Sequence, residues 1–396
     1  MKSSIELELF RDALYTCSAA SCGFCREDCP IFTGVRKEST CARGISAIML
    51  AFLDGFIKPN ERLAKTFNLC TTCRWCTERC PINIEYPTKP PNLRIDIPEM
   101  IENFRADLLE RGFVPAKVKE MLLNIRRTYN PWGSPSGKRM AWSKGFTVET
   151  LSDKTSLEAF FICCAYSYDE RAKEVVDVAG TLFEEIGIPF VTLGNNQWCC
   201  GDMTLRLGEK GLSELLAEHN AQMFEKHKIR SLISLSPHCY NTLKNDEIYP
   251  ESNVNNMHYT QVLAEKVDEG KLKPSKRIEK RVTFHDPCYL GRYNNVYEQP
   301  RKILESIPGL KLVEMYRNKK HSFCCGGGSG RVLTEELPYH ERPSNERVKE
   351  AVEVGADVIA TACPLCLIML NDATKSLELE GKIIVKDVLE LMSEAL

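Results

Sequence analysis

The chain has 396 residues with 52 Lys and Arg against 54 Asp and Glu, a formal net charge of −2, and that balance lacks the basic excess of nucleic-acid binders. Nineteen cysteines are far above ordinary use, and they fall in tight clusters rather than in the spread of a small secreted disulfide scaffold. With no apolar leader after Met1-Lys-Ser-Ser-Ile-Glu, the composition predicts a reducing, cytoplasmic setting and thiolates that hold metal.

A short helix is expected over residues 5–14. It leads into Cys17-Ser-Ala-Ala-Ser-Cys22-Gly-Phe-Cys25-Arg-Glu-Asp-Cys29-Pro30. Further on stands Cys70-Thr-Thr-Cys73-Arg-Trp-Cys76-Thr-Glu-Arg-Cys80-Pro81, a C-x2-C-x2-C-x3-C-P run without departure. In such runs three thiolates hold one four-iron cluster and the Cys before Pro reaches a second cluster. Ligands are therefore expected to swap: Cys17, Cys22, Cys25 and Cys80 around one cubane, Cys70, Cys73, Cys76 and Cys29 around the other. The front of the first motif is C-x4-C-x2-C, which taken literally is a two-iron spacing. The Cys29-Pro30 ending and the intact second motif favour a four-iron pair, with two extra residues bulged out of the loop. Cys41 is spare, either a small buried residue or a replacement for Cys17. Zinc ribbons use pairs of C-x2-C rather than runs of four ending in C-P.

Helices are expected at 42–55 and 61–69. The longest apolar run, residues 44–57, is too short to span a bilayer, so membrane attachment would come through a partner. After Pro87, Pro90, Pro91 and Pro98, residues 99–129 carry apolar positions at helical spacing (Ile101, Phe104, Leu108; Val118, Leu122, Ile125), a connector packed on one side. Asn130-Pro-Trp-Gly-Ser-Pro-Ser-Gly137 reads as a loop, with Trp132 as packing. A boundary is expected near residue 150.

The remainder repeats itself. Cys164 and Cys288 lie 124 apart, Cys199 and Cys324 125 apart, Cys239 and Cys366 127 apart. A nearly constant offset signals duplication. Strands are expected at 158–163, 188–193 and 230–235, then at 281–286, 311–315, 357–361 and 382–386. Helices at 170–186, 211–227, 239–245, 298–306, 344–354, 365–377 and 387–395 alternate with them, which predicts parallel α/β units with cysteines after the strand ends.

The second half offers Cys288, adjacent Cys324-Cys325, and Cys363-x2-Cys366, one thiolate more than a cubane needs. One of the adjacent pair is free to bridge two irons. Gly326, Gly327 and Gly328 let backbone approach the metal and point amides at sulfur. They lack the frame of a phosphate-binding loop. His285 and His321 are candidate proton donors, since histidine titrates near neutral pH, and Arg292 and Arg331 are candidate anion holders. In the first half Ser236 stands where Cys363 stands in the second, while Cys163, Cys164, Cys199, Cys200 and Cys239 remain. A cluster on four of those thiolates, a lost cluster and a substrate wall are all open readings.

These motifs, with Asn130-Pro-Trp-Gly133, Ser236-Pro-His-Cys239-Tyr-Asn-Thr-Leu243 and His285-Asp-Pro-Cys288-Tyr-Leu-Gly-Arg292, give the chain its likeness. It resembles the D-type catalytic subunit of heterodisulfide reductase and the wider family of CCG-domain iron–sulfur oxidoreductases, over nearly its whole length. The resemblance implies an N-terminal helical ferredoxin-like domain with two [4Fe-4S] cubanes, followed by a duplicated α/β CCG domain with noncubane four-iron clusters. The domains expected are 1–98, a connector at 99–155, and repeats at 156–280 and 281–396. In that family a disulfide between two coenzyme thiols is split at the noncubane clusters. Relatives with the same layout instead pass electrons in other oxidations and reductions. The chain departs from the pattern at Ser236 and at Tyr289, where many relatives have His.

Two functions follow as expectations. In one, electrons pass through the cubanes to a noncubane cluster at Cys288, Cys324, Cys325, Cys363 and Cys366, which reduces a disulfide. In the other, the chain is a wiring subunit with no substrate of its own. No flavin or nicotinamide site is visible, so the donor must be another protein: a flavoprotein, a hydrogenase-like subunit or a cytochrome.

Overall fold

The structure is a computed structural model that describes residues 5–88, 90, 93–143, 148–151, 156–249, 254–334 and 340–396. Residues 1–4, Pro91 and the expected boundary at 155 lie outside the described residues.

Three Cys-Pro pairs and one Ser-Pro pair set the local geometry in the same way. Pro30 and Pro81 begin helices Pro30–Val35 and Pro81–Glu85, and Pro237 and Pro364 begin Pro237–Asn245 and Pro364–Ser376. Proline suits the first helical position because its φ is already helical and its missing N–H would have no partner there. Cys29, Cys80, Ser236 and Cys363 are thereby fixed as extended residues just before a helix.

The N-terminal region is helical. The helix expected at 5–14 is two pieces, Ile5–Glu8 and Arg11–Ala20, and the second carries Cys17. Ala42–Leu53 and Glu61–Phe67 stand where expected. Phe104 packs edge-on against Phe52 and Phe67, at centroid distances of 5.0 and 4.5 Å, and closes this small core. The connector is two helices, Ile97–Glu110 and Ala116–Thr128, broken around Gly112 and Pro115.

Two parallel sheets follow. The first is β1 (Glu149–Thr150), β2 (Glu158–Phe161), β3 (Val191–Thr192), β4 (Ser231–Ser234) and β5 (Asn255–His258), in the order β1-β3-β2-β4-β5. The second is β6 (Arg281–Phe284), β7 (Lys311–Leu312), β8 (Val358–Thr361) and β9 (Ile384–Asp387), in the order β7-β6-β8-β9. Apart from the extra edge strand β1, the two orders are the same, and every pair is parallel. Strand β5 and helix Tyr259–Asp268 were not expected from the sequence. One apolar core runs through both halves, from Val118 to Ala395. Among the described residues no helix is long and apolar enough to cross a membrane.

Candidate metal centres

Four groups of cysteines form, two in the helical region and one at the carboxyl ends of each sheet. Cys17, Cys22, Cys25 and Cys80 line one cavity of about 400 Å³, together with Cys76 and Arg43. Cys29, Cys70, Cys73 and Cys76 line a neighbouring cavity of about 380 Å³. The Cys before each proline thus faces the other motif's thiols. Cys41 lines neither cavity and donates to the Glu38 carbonyl at 3.1 Å. Thr72 and Arg74 hold left-handed backbone, φ 49° and 65°, which few non-glycine residues tolerate. This turns the loop so that the Thr72 amide donates to Cys70 Sγ at 3.4 Å.

The second-half site gathers Cys288, Cys324, Cys325, Cys363 and Cys366, all buried. Cys325 Sγ lies 3.3 Å from Cys366 Sγ. Gly326, at φ +90°, folds the chain back so that its amide donates to Cys324 Sγ at 3.4 Å, and Gly327 donates to Cys325. Gly328 serves a different end. A Cβ there would meet the Thr71 carbonyl oxygen at 2.4 Å, so this glycine admits the loop of the cubane region rather than metal. At that joint Cys73 hydrogen-bonds Cys324, the Thr71 hydroxyl lies 3.7 Å from Cys324 Sγ, and Thr72 Oγ1 bonds Tyr289 Oη at 2.8 Å and Ser329 Oγ at 2.9 Å.

Arg292 is buried between the same parts. It donates to the Cys73 carbonyl at 2.6 Å and to the Ser322 carbonyl at 2.7 Å, and its charge acts on Cys73, Cys288 and Cys324. It braces sulfur and backbone, a different role from the anion holder expected of it. Arg331 is buried at the start of helix Arg331–Thr334, its amide donating to the Gly328 carbonyl at 3.1 Å.

His285 has a ring nitrogen within 4.8 Å of the Cys325 and Cys366 sulfurs. Its Nδ1 accepts from Arg347 Nε at 3.3 Å. Burial first, and then Arg347, push its pKa down to about 3, so it stands neutral and does not titrate near pH 7 as expected. His321 is exposed, edge-on to Trp75 at 6.0 Å, beside the cubane region. His238, which sequence reasoning passed over, instead reaches the second site, where it hydrogen-bonds Cys363. Burial alone would lower its pKa, but the Asp202 carboxylate 2.9 Å from Nδ1 outweighs that and holds it well above the ordinary value. Burial would likewise raise Cys363, yet bonds from Cys366 and His238 bring it down to about 5.

The first-half site is a cavity of about 350 Å³ lined by Cys163, Cys164, Cys199, Cys200 and Cys239, with Trp132, His238 and Leu365 in its wall. Arg139 Nη2 donates to Cys164 Sγ at 3.1 Å, and the Cys199 amide donates to the Tyr129 carbonyl at 3.0 Å. Trp132, expected only to pack, borders this cavity. Leu365 occupies the place in Cys363-Pro-Leu-Cys366 that His238 occupies in Ser236-Pro-His-Cys239. Each half therefore lends the residue after its proline to the other half's site.

The thiol sets fit iron–sulfur clusters, because four or five cysteines converge on each centre with buried arginines and backbone amides turned toward sulfur. Cavities and sheets together define an iron–sulfur protein with a two-cluster helical domain and a twofold-repeated cysteine-rich α/β domain.

Comparison with known proteins gives the same division. A 4Fe-4S dicluster domain matches residues 13–84, and a Cysteine-rich domain (CCG) matches twice, over 158–244 and 282–371. The D-type subunit of the dihydromethanophenazine:CoB–CoM heterodisulfide reductase of Methanosarcina barkeri is 31% identical over 334 residues, 83% of this chain and 77% of that protein. The chain belongs to this family of CCG-domain iron–sulfur oxidoreductases. The probable iron-sulfur-binding oxidoreductase FadF of Bacillus subtilis is 36% identical over 336 residues, 82% of this chain and 46% of that protein. The EtfAB:quinone oxidoreductase of Syntrophomonas wolfei is 32% identical over 434 residues, 98% of this chain and 59% of that protein. The chain thus spans about half the length of these last two relatives.

Proposed function

We propose that the chain is the iron–sulfur subunit of a larger redox complex. It takes electrons from a protein partner through two [4Fe-4S] cubanes, held by Cys17, Cys22, Cys25 and Cys80 and by Cys29, Cys70, Cys73 and Cys76. It passes them to a noncubane [4Fe-4S] cluster on Cys288, Cys324, Cys325, Cys363 and Cys366, which reduces a disulfide to two thiols. The observation that carries this reading is the Cys73–Cys324 contact, a ligand of one proposed cluster touching a ligand of the next. When bound, the clusters supply one-electron transfer, and the protein sets their potential through ligation, burial and hydrogen bonds to sulfur.

The chain's own contribution at the second site is positional. His238, held by Asp202 at 2.9 Å and bonded to Cys363, is the side chain assigned to hand a proton to a departing thiolate, its pKa raised by the Asp202 carboxylate against the effect of burial. Two electrons and two protons convert one disulfide to two thiols. The name of the Methanosarcina barkeri relative supports this chemistry.

A second reading, a relay with no substrate of its own, is favoured by the burial of all five second-site cysteines, none more than 8% exposed. The names of the FadF and EtfAB:quinone oxidoreductase relatives agree with it. The test is to reduce the anaerobically prepared protein and add a small disulfide. Reoxidation with two thiols formed per two electrons is the expected result. If the disulfide leaves the reduced spectrum unchanged while a flavoprotein or quinone-linked partner reoxidises it, the relay reading holds and disulfide reduction is overturned.

A further inference from the structure

The first site is short of a ligand by the rule of the second. Its motif reads Ser236-Pro-His-Cys239 against Cys363-Pro-Leu-Cys366, so the repeat pattern leaves four thiols: Cys164, Cys199, Cys200 and Cys239. Ser236 does not compensate. It is fully buried, its hydroxyl has no hydrogen-bond partner, and it does not line the cavity.

A fifth thiol nevertheless reaches this cavity. Cys163 stands at the turn from β2 into helix Cys164–Tyr168 (φ −59°, ψ 148°), and its counterpart in the second half is Pro287. With Cys164 next to it in helical backbone, both residues of the pair face the cavity. The thiols form a continuous series of hydrogen bonds: Cys163 to Cys239, Cys239 to Cys200, Cys200 to Cys199, and Cys199 to Cys164. A cysteine present only as a small apolar residue would pack against carbon. Cys163 touches the thiol three residues beyond the vacated position.

We propose that Cys163 takes over the ligand lost at Ser236, so that the first site keeps five thiolates and binds a four-iron cluster of the same noncubane kind as the second. Cysteine and non-ligand have changed places: serine for cysteine before the helix, cysteine for proline after the strand. The inference rests on the cluster reading above and deepens it, giving the chain four clusters rather than three.

The test uses the full chain, prepared anaerobically, with iron and acid-labile sulfide counted and the clusters followed by electron paramagnetic resonance and Mössbauer spectroscopy. Cys163→Ala is expected to lose about four irons per chain while the cubane signals stay. Cys163→Ala with Ser236→Cys is expected to regain them, and Ser236→Ala to lose none. Unchanged iron in Cys163→Ala overturns the inference and leaves the cluster reading standing. So does loss of every cluster together in both Cys163→Ala and Cys163→Ser, which would mark a residue of the fold, and so does a double variant that recovers nothing. A folded wild-type chain free of iron defeats the cluster reading itself.

Discussion

The two halves of the cysteine-rich domain share a strand order and a Cys-Cys-Gly turn, yet they face different neighbours. Site two is closed by the cubane region, through Cys73 at Cys324, Thr72 at Tyr289, and Arg292 on the Cys73 carbonyl. Site one is closed by the connector, through Trp132, the Tyr129 carbonyl and Arg139. Duplication supplied two equivalent thiol sets, and the segments outside the repeat made them unequal. One half is joined to the proposed electron input. The other meets the cubane region away from its own thiols: Arg105 donates to the Arg206 carbonyl at 2.6 Å and to the Cys70 carbonyl at 2.6 Å.

Position 328 shows the difference in one residue. The turn reads Cys324-Cys325-Gly326-Gly327-Gly328 in one half and Cys199-Cys200-Gly201-Asp202-Met203 in the other. Glycine stands where Thr71 presses in, and methionine where the chain only borders a cavity. Gly328→Val should therefore give the largest effect. The obstacle is a carbonyl oxygen 2.4 Å from the new Cβ, and backbone cannot rotate aside. Overpacking of this kind costs about 1–3 kcal/mol. The sharper reading is kinetic: on rapid reduction the cubanes should fill at the wild-type rate and the second CCG cluster at least about tenfold more slowly, a barrier rise of about 1.4 kcal/mol. Equal filling rates in rapid-freeze spectra would show that the joint does not wire the halves.

The buried arginines sharpen the comparison next. Arg292 acts on Cys73, Cys288 and Cys324, and Arg139 lies on Cys164. A cation favours the more negative, reduced state of a cluster. Arg292→Met should lower the midpoint potential of the second site, and Arg139→Met that of the first, each by roughly 60 mV, tenfold for one electron. Lysine at either place should recover part of the shift. Redox titration of each variant checks this, and a shift in the wrong site's signal would show that the halves are not electrostatically separate.

Much of this arrangement was legible in the sequence. The constant offsets revealed the duplication, and the C-P endings pointed to which thiols line each cavity, because both depend on local spacing. Strand β5 was missed because Asn255-Asn-Met-His258 has little apolar content, although its counterpart at 384–387 was legible and the repeat offset pointed to it. The break in the connector was written in Gly112 and Pro115. The parts that define the sites' inequality could not be read. Thr71 and Gly328, Arg139 and Cys164, and His238 and Cys363 are contacts across long separations, and no spacing rule links their members.

The smallest expected effect tests the frame behind the sites. His258 and Asp387 end β5 and β9 and cap the next helix in each half, both with a capping box. Asp387 accepts from Tyr259 at 2.6 Å and Tyr166 at 3.1 Å, both from the other half. Burial shifts each cap toward its neutral form, lowering His258 to about 3 and raising Asp387 to about 7. The signs oppose. Between the folded and unfolded pKa of His258, from about 3 to 6.5, the unfolded chain binds the extra proton, so stability falls on acidification. Between 3.8 and about 7 the folded Asp387 binds the extra proton, so its contribution is full at low pH and is lost as pH rises. Over the shared window the two slopes, each on the order of 1.4 kcal/mol per pH unit, cancel. Asp387→Asn keeps a capping oxygen and abolishes one slope. Relative to wild type, its denaturant stability should fall by about that amount for each unit of acidification from pH 6.5 to 5, with electron-transfer rates unchanged. Taking the difference between the two proteins removes the acid sensitivity of the clusters, which both share. A difference that stays flat with pH would show that Asp387 is ionised in the folded chain, and that the two halves are not held together through a neutral carboxyl.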